Sequence, residues 1–299
     1  MNKNPFFTII TPTYNRAYII RDTIASVLRQ TFGDFEYIIV DDGSIDDTEK
    51  VVESLSDPRI KYIKNKINSG GHFIPRNIGI EAARGDYVIM LDSDDKLDDN
   101  ALLVFREWIK RKSSIKVFML DAVDKDSKNK KANLILPKDG LELDFKYIIC
   151  SPHIGDHLPC IKRSSLSVRF PENVKRNTNI FYDALARDCN FFCIPATGLY
   201  CSLASGDRIT KNIKKDAEEW ILGIDEYIRI FKADIERLCP KKMNQWLRSR
   251  GIMCILAGRR KEGVDSFLKA LKYDFLSIKT WIYLVSASFF PRFIIKRND

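Results

Sequence analysis

Five short runs of apolar residues, each broken off by a polar turn, narrow what this chain can fold into. They cover residues 6–10, 37–40, 60–63, 87–91 and 117–120. Each is hydrophobic at nearly every position instead of every second one, as a strand covered on both faces requires. Between them the apolar spacing changes to three and four: Ile20, Ile24, Val27 and Leu28 form one stripe, and Leu102, Leu103, Phe105 and Ile109 another. Alternation of this kind predicts an α/β fold, a Rossmann-like parallel sheet with helices on both faces.

The regular alternation ends at a charged stretch over residues 124–133, which reads as a solvated loop. Beyond it the pattern is mixed, with short strands expected at 158–161, 191–194 and 199–203 and a helix around 180–188. From Ile213 onward Ala217, Trp220, Ile221, Ile224, Ile228, Phe231, Ile235 and Leu238 recur at helical spacing. Residues 243–272 read as helix, turn and helix around Gly258 and Gly263, similar to a single tetratricopeptide-type unit. Trp220 and Trp246 fall at core positions of these helices. The expected organisation is one α/β domain over residues 1–210, in halves of about 1–123 and 134–210, followed by a C-terminal helical region over 211–299.

Composition sets further bounds. With 299 residues and 45% hydrophobic content, the chain can bury one large core and carry a helical appendage. Its net charge of +9 favours phosphate-rich partners, whether nucleotides, nucleic acids or anionic lipid. Seven cysteines with no Cys-x-x-Cys pair argue against a disulfide framework or a zinc knuckle and suit a reducing cytosol. The apolar run ending at Ile10 is too short for the core of a signal peptide, so no export is expected.

Open parallel sheets bind ligands beyond the carboxyl ends of their strands, and here those ends are polar in a consistent way. The first strand is followed by Thr11-Pro12-Thr13-Tyr14-Asn15-Arg16, in which Pro12 stiffens the exit and Tyr14 can stack on a base. The second leads into Asp41-Asp42-Gly43-Ser44. The third leads into Asn68-Ser69-Gly70-Gly71 and then Arg76-Asn77-Ile78-Gly79, and the fourth into Asp92-Ser93-Asp94-Asp95. Acidic residues this dense repel each other and call for a cation. Hard carboxylate oxygens select Mg²⁺ or Mn²⁺, and strand alternation would send Asp92 and Asp94 to one side. The alternative is that Ser93, Asp94 and Asp95 cap a helix starting near Asp98.

Together the four blocks resemble the family 2 glycosyltransferases of the GT-A fold, from Phe6 through about Leu203. That family carries Thr-Pro-x-Tyr-Asn, Asp-Asp-Gly-Ser, Asn-x-Gly with Arg-Asn-x-Gly, and Leu-Asp-x-Asp-Asp in this order. The resemblance implies a donor half over about 1–123 and an acceptor half over about 134–210. It implies that Thr11, Tyr14 and Asp42 hold the nucleoside base, that Arg76 contacts the donor, and that Asp92 meets the ribose. Asp94, with Asp92 beside it, would hold the metal on the diphosphate, and Pro12, Arg16, Gly70, Asn77 and Ser93 complete the donor set. Pro75 departs from the family, which often has Ala before the arginine. In an inverting transfer a carboxylate takes the acceptor proton, and the family supplies it from a Glu-Asp pair at a helix start. Here Asp183 aligns with the second acid while Tyr182 replaces the first. Asp156 and Asp188 are alternative bases, and an ion pair of Asp183 with Arg187 is the structural alternative.

The expected activity is transfer of a sugar from a nucleoside-diphosphate donor, most readily a UDP-sugar, to a hydroxyl of a glycan or lipid-linked glycan. A nucleotidylyltransferase would need a Gly-rich loop after the first strand and a nicotinamide dehydrogenase Gly-x-Gly-x-x-Gly there; residues 11–16 contain no glycine. A sugar-nucleotide-binding module without catalysis is the remaining alternative, supported by Tyr182 alone, and nucleic acid is not an expected partner. His153 and His157 stand four apart around Asp156, but Pro152, Gly155 and Pro159 oppose a helical metal pair, and the two are expected to line the acceptor cleft with His72 elsewhere. Residues 275–297 are apolar and aromatic with basic flanks. Their uncharged part is well short of the roughly 20 residues a bilayer requires. An interfacial helix on anionic lipid and a helix packed on its neighbours both fit, and the first would put the protein in the cytoplasm at the inner face of the membrane.

Overall fold

The structure, a computed structural model, describes residues 4–124, 129, 134–151, 156–201 and 216–289. Most of the charged loop, His153, the chain beyond Cys201 up to Ile213 and the residues after Phe289 lie outside the described residues. Two compact units are present. The first runs to Phe170 and resumes at Phe181, and the second takes Pro171–Ile180 and the C-terminal helices.

In the first unit, β1 (Phe7–Thr13), β2 (Phe35–Asp41), β3 (Ile60–Lys64) and β4 (Tyr87–Met90) form the parallel half of the sheet. Among the described residues the sheet has nine strands, the others being β5 (Asp95–Leu97), β6 (Val117–Asp124), β7 (Leu141–Leu143), β8 (His157–Lys162) and β9 (Phe191–Cys201), with β7 paired to β9. Its order is β3-β2-β1-β4-β8-β6-β9-β5: four of the five expected parallel strands are neighbours, and the fifth, β6, is parted from them. β8 inserts antiparallel between β4 and β6, and β5 returns antiparallel to β9. The two strands expected at 191–194 and 199–203 are one continuous β9 with an irregular register against β6.

Helices cover both faces, as expected. α1 (Ile20–Leu28) and α4 (Ala101–Arg111) bury Ile20, Ile24, Val27, Leu102, Phe105 and Ile109 with Phe7, Ile9, Tyr37, Ile39 and Ile89 from alternate strand positions. α3 (Phe73–Ala82) lies on the opposite face, so close to β1 that a Cβ on Gly79 would stand 2.3 Å from Ile10 Cγ2. α2 (Thr48–Glu53) follows the β2 exit and packs Val52 on the α1 side, and α5 (Phe145–Cys150) starts at Asp144, whose carboxylate accepts from Tyr147 N at 2.7 Å. One orphan amide of α4 finds a partner just past the end of α1: Gln30 accepts from Leu102 N at 3.0 Å while its own amide donates to Asp98 O at 2.7 Å.

The second unit is helical. α7 (Ala217–Leu238) buries Ile221, Ile224, Tyr227, Phe231 and Ile235, and α8 (Pro240–Leu256) brings Trp246 to 4.2 Å from the Tyr227 ring. α9 (Arg260–Leu271) follows a turn in which Gly258 takes φ +80°, a conformation that favours glycine. Arg250 ties three helices, at 2.5 Å to Asp225 Oδ1 and 2.8 Å to Ser266 Oγ. α10 (Ile278–Phe289) buries Thr280, Leu284 and Ala287, the last two in a cluster with Ile255, Phe267 and Leu271. Five of the seven cysteines, Cys160, Cys189, Cys193, Cys201 and Cys254, are free and buried; Cys150 and Cys239 are not among the free thiols.

At the amino-terminal edge of the parallel strands, Glu36 is buried and accepts from Thr8 Oγ1 (2.7 Å), Arg84 N (2.6 Å) and Arg84 Nε (2.9 Å). Burial raises its pKa, but these donors outweigh that and leave it below the ordinary glutamate value. A carboxylate with a depressed folded-state pKa stabilises fully above its unfolded pKa, and the gain is lost as pH falls through the folded value. Glu36→Gln should cost about 1–3 kcal/mol at pH 7 because it replaces charge-assisted acceptors with a weaker one and, with its oxygen kept on Thr8 and Arg84 N, turns an amide donor on Arg84 Nε. Urea unfolding at pH 7 and below pH 4 checks this: the gap between wild type and variant should shrink in acid.

Candidate functional site at the carboxyl ends of the parallel strands

The exits of β1 and β2 are joined to each other by side chains bonding to backbone. Asn15 N donates to Ser44 Oγ (2.8 Å), Ile45 N to Asn15 Oδ1 (2.9 Å), Arg16 N to Thr48 Oγ1 (3.0 Å) and Ala17 N to Asp46 Oδ2 (3.1 Å). Thr11, Pro12 and Thr13 are buried, and the Thr11 hydroxyl accepts from Tyr37 at 3.0 Å. Tyr14, 42% exposed, is thus the first side chain of this exit open to solvent.

The acidic pair after β2 divides its work. Asp41 accepts from Ser44 N (2.7 Å) and from the Tyr62 hydroxyl. Asp42 accepts from Asn65 Nδ2 (2.8 Å), Ser69 N (2.9 Å) and Ser69 Oγ (2.7 Å), which anchors the loop ahead of α3. Gly43, at φ +81°, meets that loop so closely that a Cβ would stand 3.0 Å from Asn68 N. Both the conformation and the space demand glycine. Gly70 also takes φ +81°, with its N–H on Asn68 Oδ1 at 2.5 Å.

α3 then delivers Arg76. Pro75 sits in the first turn, where an amide would have no helical partner, and the first helical bond is Arg76 N to His72 O at 3.2 Å. Proline therefore leaves the α3 backbone regular. The Arg76 guanidinium, with only 8% of its side chain exposed, donates to Asp92 Oδ1 at 2.5 Å and lies over the Phe170 ring at 5.3 Å. Burial opposes its charge, but Asp92, Tyr182 and Asp95 more than compensate. For half-exposed Asp92, loss of water raises the pKa, while Arg76 and then His72 bring it below the ordinary aspartate value against the opposing charge of Asp156. Arg76, Asp92, His72, Asp95, Asp156 and Tyr182 thus share one electrostatic neighbourhood.

β4 does not stay extended through this region. It ends at Met90, and the chain turns so that Asp95 N donates to Asp92 O at 3.2 Å before β5 begins. The expectation that alternation sends Asp92 and Asp94 to one side is corrected accordingly. The capping alternative also falls, because β5 intervenes and α4 starts only at Ala101. Ser93 is buried, and its carbonyl accepts from Thr23 Oγ1 at 2.9 Å; Asp94 is half-buried.

α6 (Asn179–Ala186) brings Tyr182 to this region. Tyr182 feels both Arg76 and Asp92, and burial first, with Asp92 adding and Arg76 opposing, pushes its phenol up to about 12. Asp183 is buried, whereas Asp188 lies exposed beyond the end of the helix and Asp156 lies exposed just before β8. Asn77 turns its amide toward the chain: Nδ2 donates to Phe170 O at 2.9 Å and Phe170 N donates to Oδ1 at 2.9 Å. His157 stands 3.7 Å from Asp121 in a buried setting. His72 and Phe170 had no assigned role from sequence, and Asp95 had only the capping one. His72 was detectable as the residue one helical turn ahead of Arg76; Phe170 carried no signal.

A mixed sheet with helices on both faces and its polar constellation at the strand ends define a GT-A glycosyltransferase. The sequence profile of Glycosyl transferase family 2 matches residues 8–166, and the chain belongs to that family. Asp183 falls beyond the matched stretch. The chain is 28% identical over 280 residues to the GalNAc(5)-diNAcBac-PP-undecaprenol beta-1,3-glucosyltransferase of Campylobacter jejuni, covering 92% of this chain and 89% of that one. Among solved structures it is similar to S. aureus TarS 1–349 in complex with UDP-GlcNAc, with TM-score 0.62, 18% identity and coverage of 89% and 90%. It is also similar to the mannosyltransferase PcManGT of Pyrobaculum calidifontis in complex with GDP-Man and Mn²⁺, with TM-score 0.57, 18% identity and coverage of 96% and 87%. These two likenesses establish the fold.

Proposed function

We propose that this glycosyltransferase moves a sugar from a nucleoside-diphosphate donor, with uridine the expected nucleoside, to a hydroxyl of a glycan or lipid-linked glycan, with inversion at the anomeric carbon. The carrying observation is the convergence of α6 on the Arg76–Asp92 pair, through the charge coupling of Tyr182 to both. The uridine nucleotide in the TarS complex and the undecaprenol-linked acceptor in the name of the C. jejuni relative support the donor and acceptor classes.

Asp183 acts as general base: its carboxylate takes the acceptor hydroxyl proton as the acceptor oxygen bonds to the anomeric carbon. The bond from that carbon to the diphosphate breaks, and the electron pair leaves with the diphosphate. Tyr182, with its phenol held near 12, stays protonated at neutral pH and donates a hydrogen bond instead of competing as base. Arg76 faces the developing negative charge, and Asp92 holds the guanidinium in place. Tyr14 offers a face for the base, with Thr11 and Asp42 setting the walls.

The turn after β4 also fits a divalent ion. Asp92, Asp94 and Asp95 set three carboxylates within four positions, yet among the described residues no group of three or more ligand side chains could hold a metal. Mg²⁺ and Mn²⁺ accept such a partial set, since they retain water and phosphate oxygens. Asp94 with Asp92 would hold the ion, which when bound supplies Lewis-acid stabilisation of the leaving diphosphate.

Association with an anionic inner leaflet is part of the proposal. No helix among the described residues is long and apolar enough to cross a membrane. α10 is apolar on two sides: opposite its packed face, Ile278, Trp281, Ile282 and Val285 form an exposed stripe at spacing three, four and seven, continued by Phe275 and Leu276. Trp281 is fixed by its Nε1 donating to Phe275 O at 2.8 Å. Lys272, Lys279, Arg292, Lys296 and Arg297 flank the stripe in sequence, matching an anionic headgroup layer.

A screen of nucleotide sugars for release of nucleoside diphosphate identifies the donor and tests the activity itself. With that donor, Asp183→Asn should lower kcat by about 10² while leaving nucleotide affinity unchanged, since the base acts only in the transition state. Undiminished turnover would move the role to Asp156. Chelator-treated enzyme should be inactive until Mg²⁺ or Mn²⁺ is restored, and Asp94→Asn should stay inactive with either; turnover in both cases would exclude the ion. For the membrane, Ile278→Asp with Ile282→Asp should abolish flotation with phosphatidylglycerol liposomes at unchanged thermal stability, and equal flotation of variant and wild type would remove α10 as the anchor.

A further inference from the structure

We propose that Asn77 is a positioning residue for transfer, holding Phe170 as the joint through which α3 seats the base-bearing helix α6. The inference rests on Asp183 being the general base. Chain continuity cannot do this seating, because the backbone leaves the first unit after Phe170 and re-enters it at Phe181. A side-chain joint takes its place. The Phe170 and Phe181 rings stack at 4.0 Å with an interplanar angle of 9°. Phe170 also meets the Tyr182 ring edge-on at 6.4 Å, Phe73 of α3 at 5.2 Å and the Arg76 guanidinium at 5.3 Å.

One ring therefore touches the donor-facing cation and both aromatic residues that precede Asp183. Its backbone is held on one side by the buried amide of Asn77, which satisfies the N–H and the carbonyl of Phe170 together at 2.9 Å each. Only a primary amide offers a donor and an acceptor side by side in that geometry. Aspartate accepts but cannot donate, and would set a carboxylate against the Phe170 carbonyl. Apart from the contact of its ring with Arg76, the donor side has holds of its own, since Asp42 anchors its loop and Asp92 holds Arg76 by direct bonds. Asn77 should accordingly govern how well the base is aimed and leave nucleotide binding largely alone.

A double-mutant cycle tests this, using the donor found by the nucleotide-sugar screen and UDP as the binding probe. Asn77→Ala and Asn77→Asp should each lower kcat by about 10- to 100-fold, the scale of a misaimed catalytic group, while UDP affinity by calorimetry changes less than about threefold. In an Asp183→Asn background the further loss from Asn77→Ala should fall below about threefold, because there is no base left to aim. Hydrogen exchange should quicken across residues 179–186 in Asn77→Ala. If that variant does not fold, Phe170→Leu, which keeps the amide-to-backbone pair and removes the ring, should give the same kcat loss and the same coupling. A large Asp183→Asn loss with additive Asn77 or Phe170 effects overturns the positioning role alone. Full activity of Asp183→Asn overturns the base assignment and this inference with it.

Discussion

A guanidinium shut away from water needs its counter-charge fixed in place, and Arg76 imposes that condition on everything around it. Removing the partner of a mostly buried charge costs on the order of 3 kcal/mol, less where the partner is as exposed as Asp92. The carboxylate must therefore come to the arginine. β4 stops at Met90 and the chain turns at once, because an extended continuation would carry the acids along the strand axis. α3 must lie flat on β1 for the arginine to reach across. Phe170 lies under the guanidinium plane and ties the ion pair to the aromatic group from which α6 begins.

The loops around this pair are built to be rigid before any ligand arrives. Four backbone amides between residues 15 and 45 are satisfied by side chains of the opposite loop. Asp42 adds three bonds to the loop ahead of α3. A site so tied loses little conformational freedom on binding, which lets contact energy appear as orientation of the reacting groups.

How much of this could be read from the residues depends on the range of the interaction. The parallel strands were legible because burial on both faces leaves an unbroken apolar run, and Gly43 was legible because it stands within a fixed polar tetrad. β5 and β7, three residues each, were not, since their only reason to be strands is an edge of β9 about a hundred and about fifty residues away. The insertion of β8 between β4 and β6 reverses direction without altering hydrophobicity. Whether the chain turns at Asp92–Asp95 was not legible, because acids in a row look alike in either backbone. Asn77 stood inside a recognised motif, yet its partner is a backbone 93 residues on, and backbone groups carry no sequence signal. Likewise α10 reads simply as hydrophobic, and only coordinates separate its packed side from its open one.

The contact between Gly79 and Ile10 turns α3 into a lever. The helix is seated on β1 by the bare Cα at position 79, and one turn earlier on the same helix Arg76 holds its carboxylate. Clearance beneath the helix and reach above the strand ends are consequently one dimension, fixed by the volume of a single side chain. Packed at 8% exposure, the arginine has little room to change rotamer, so the adjustment resides in the layer spacing. A methyl group placed where no nucleotide could ever touch it would be felt at the ion pair as a lift of the whole helix.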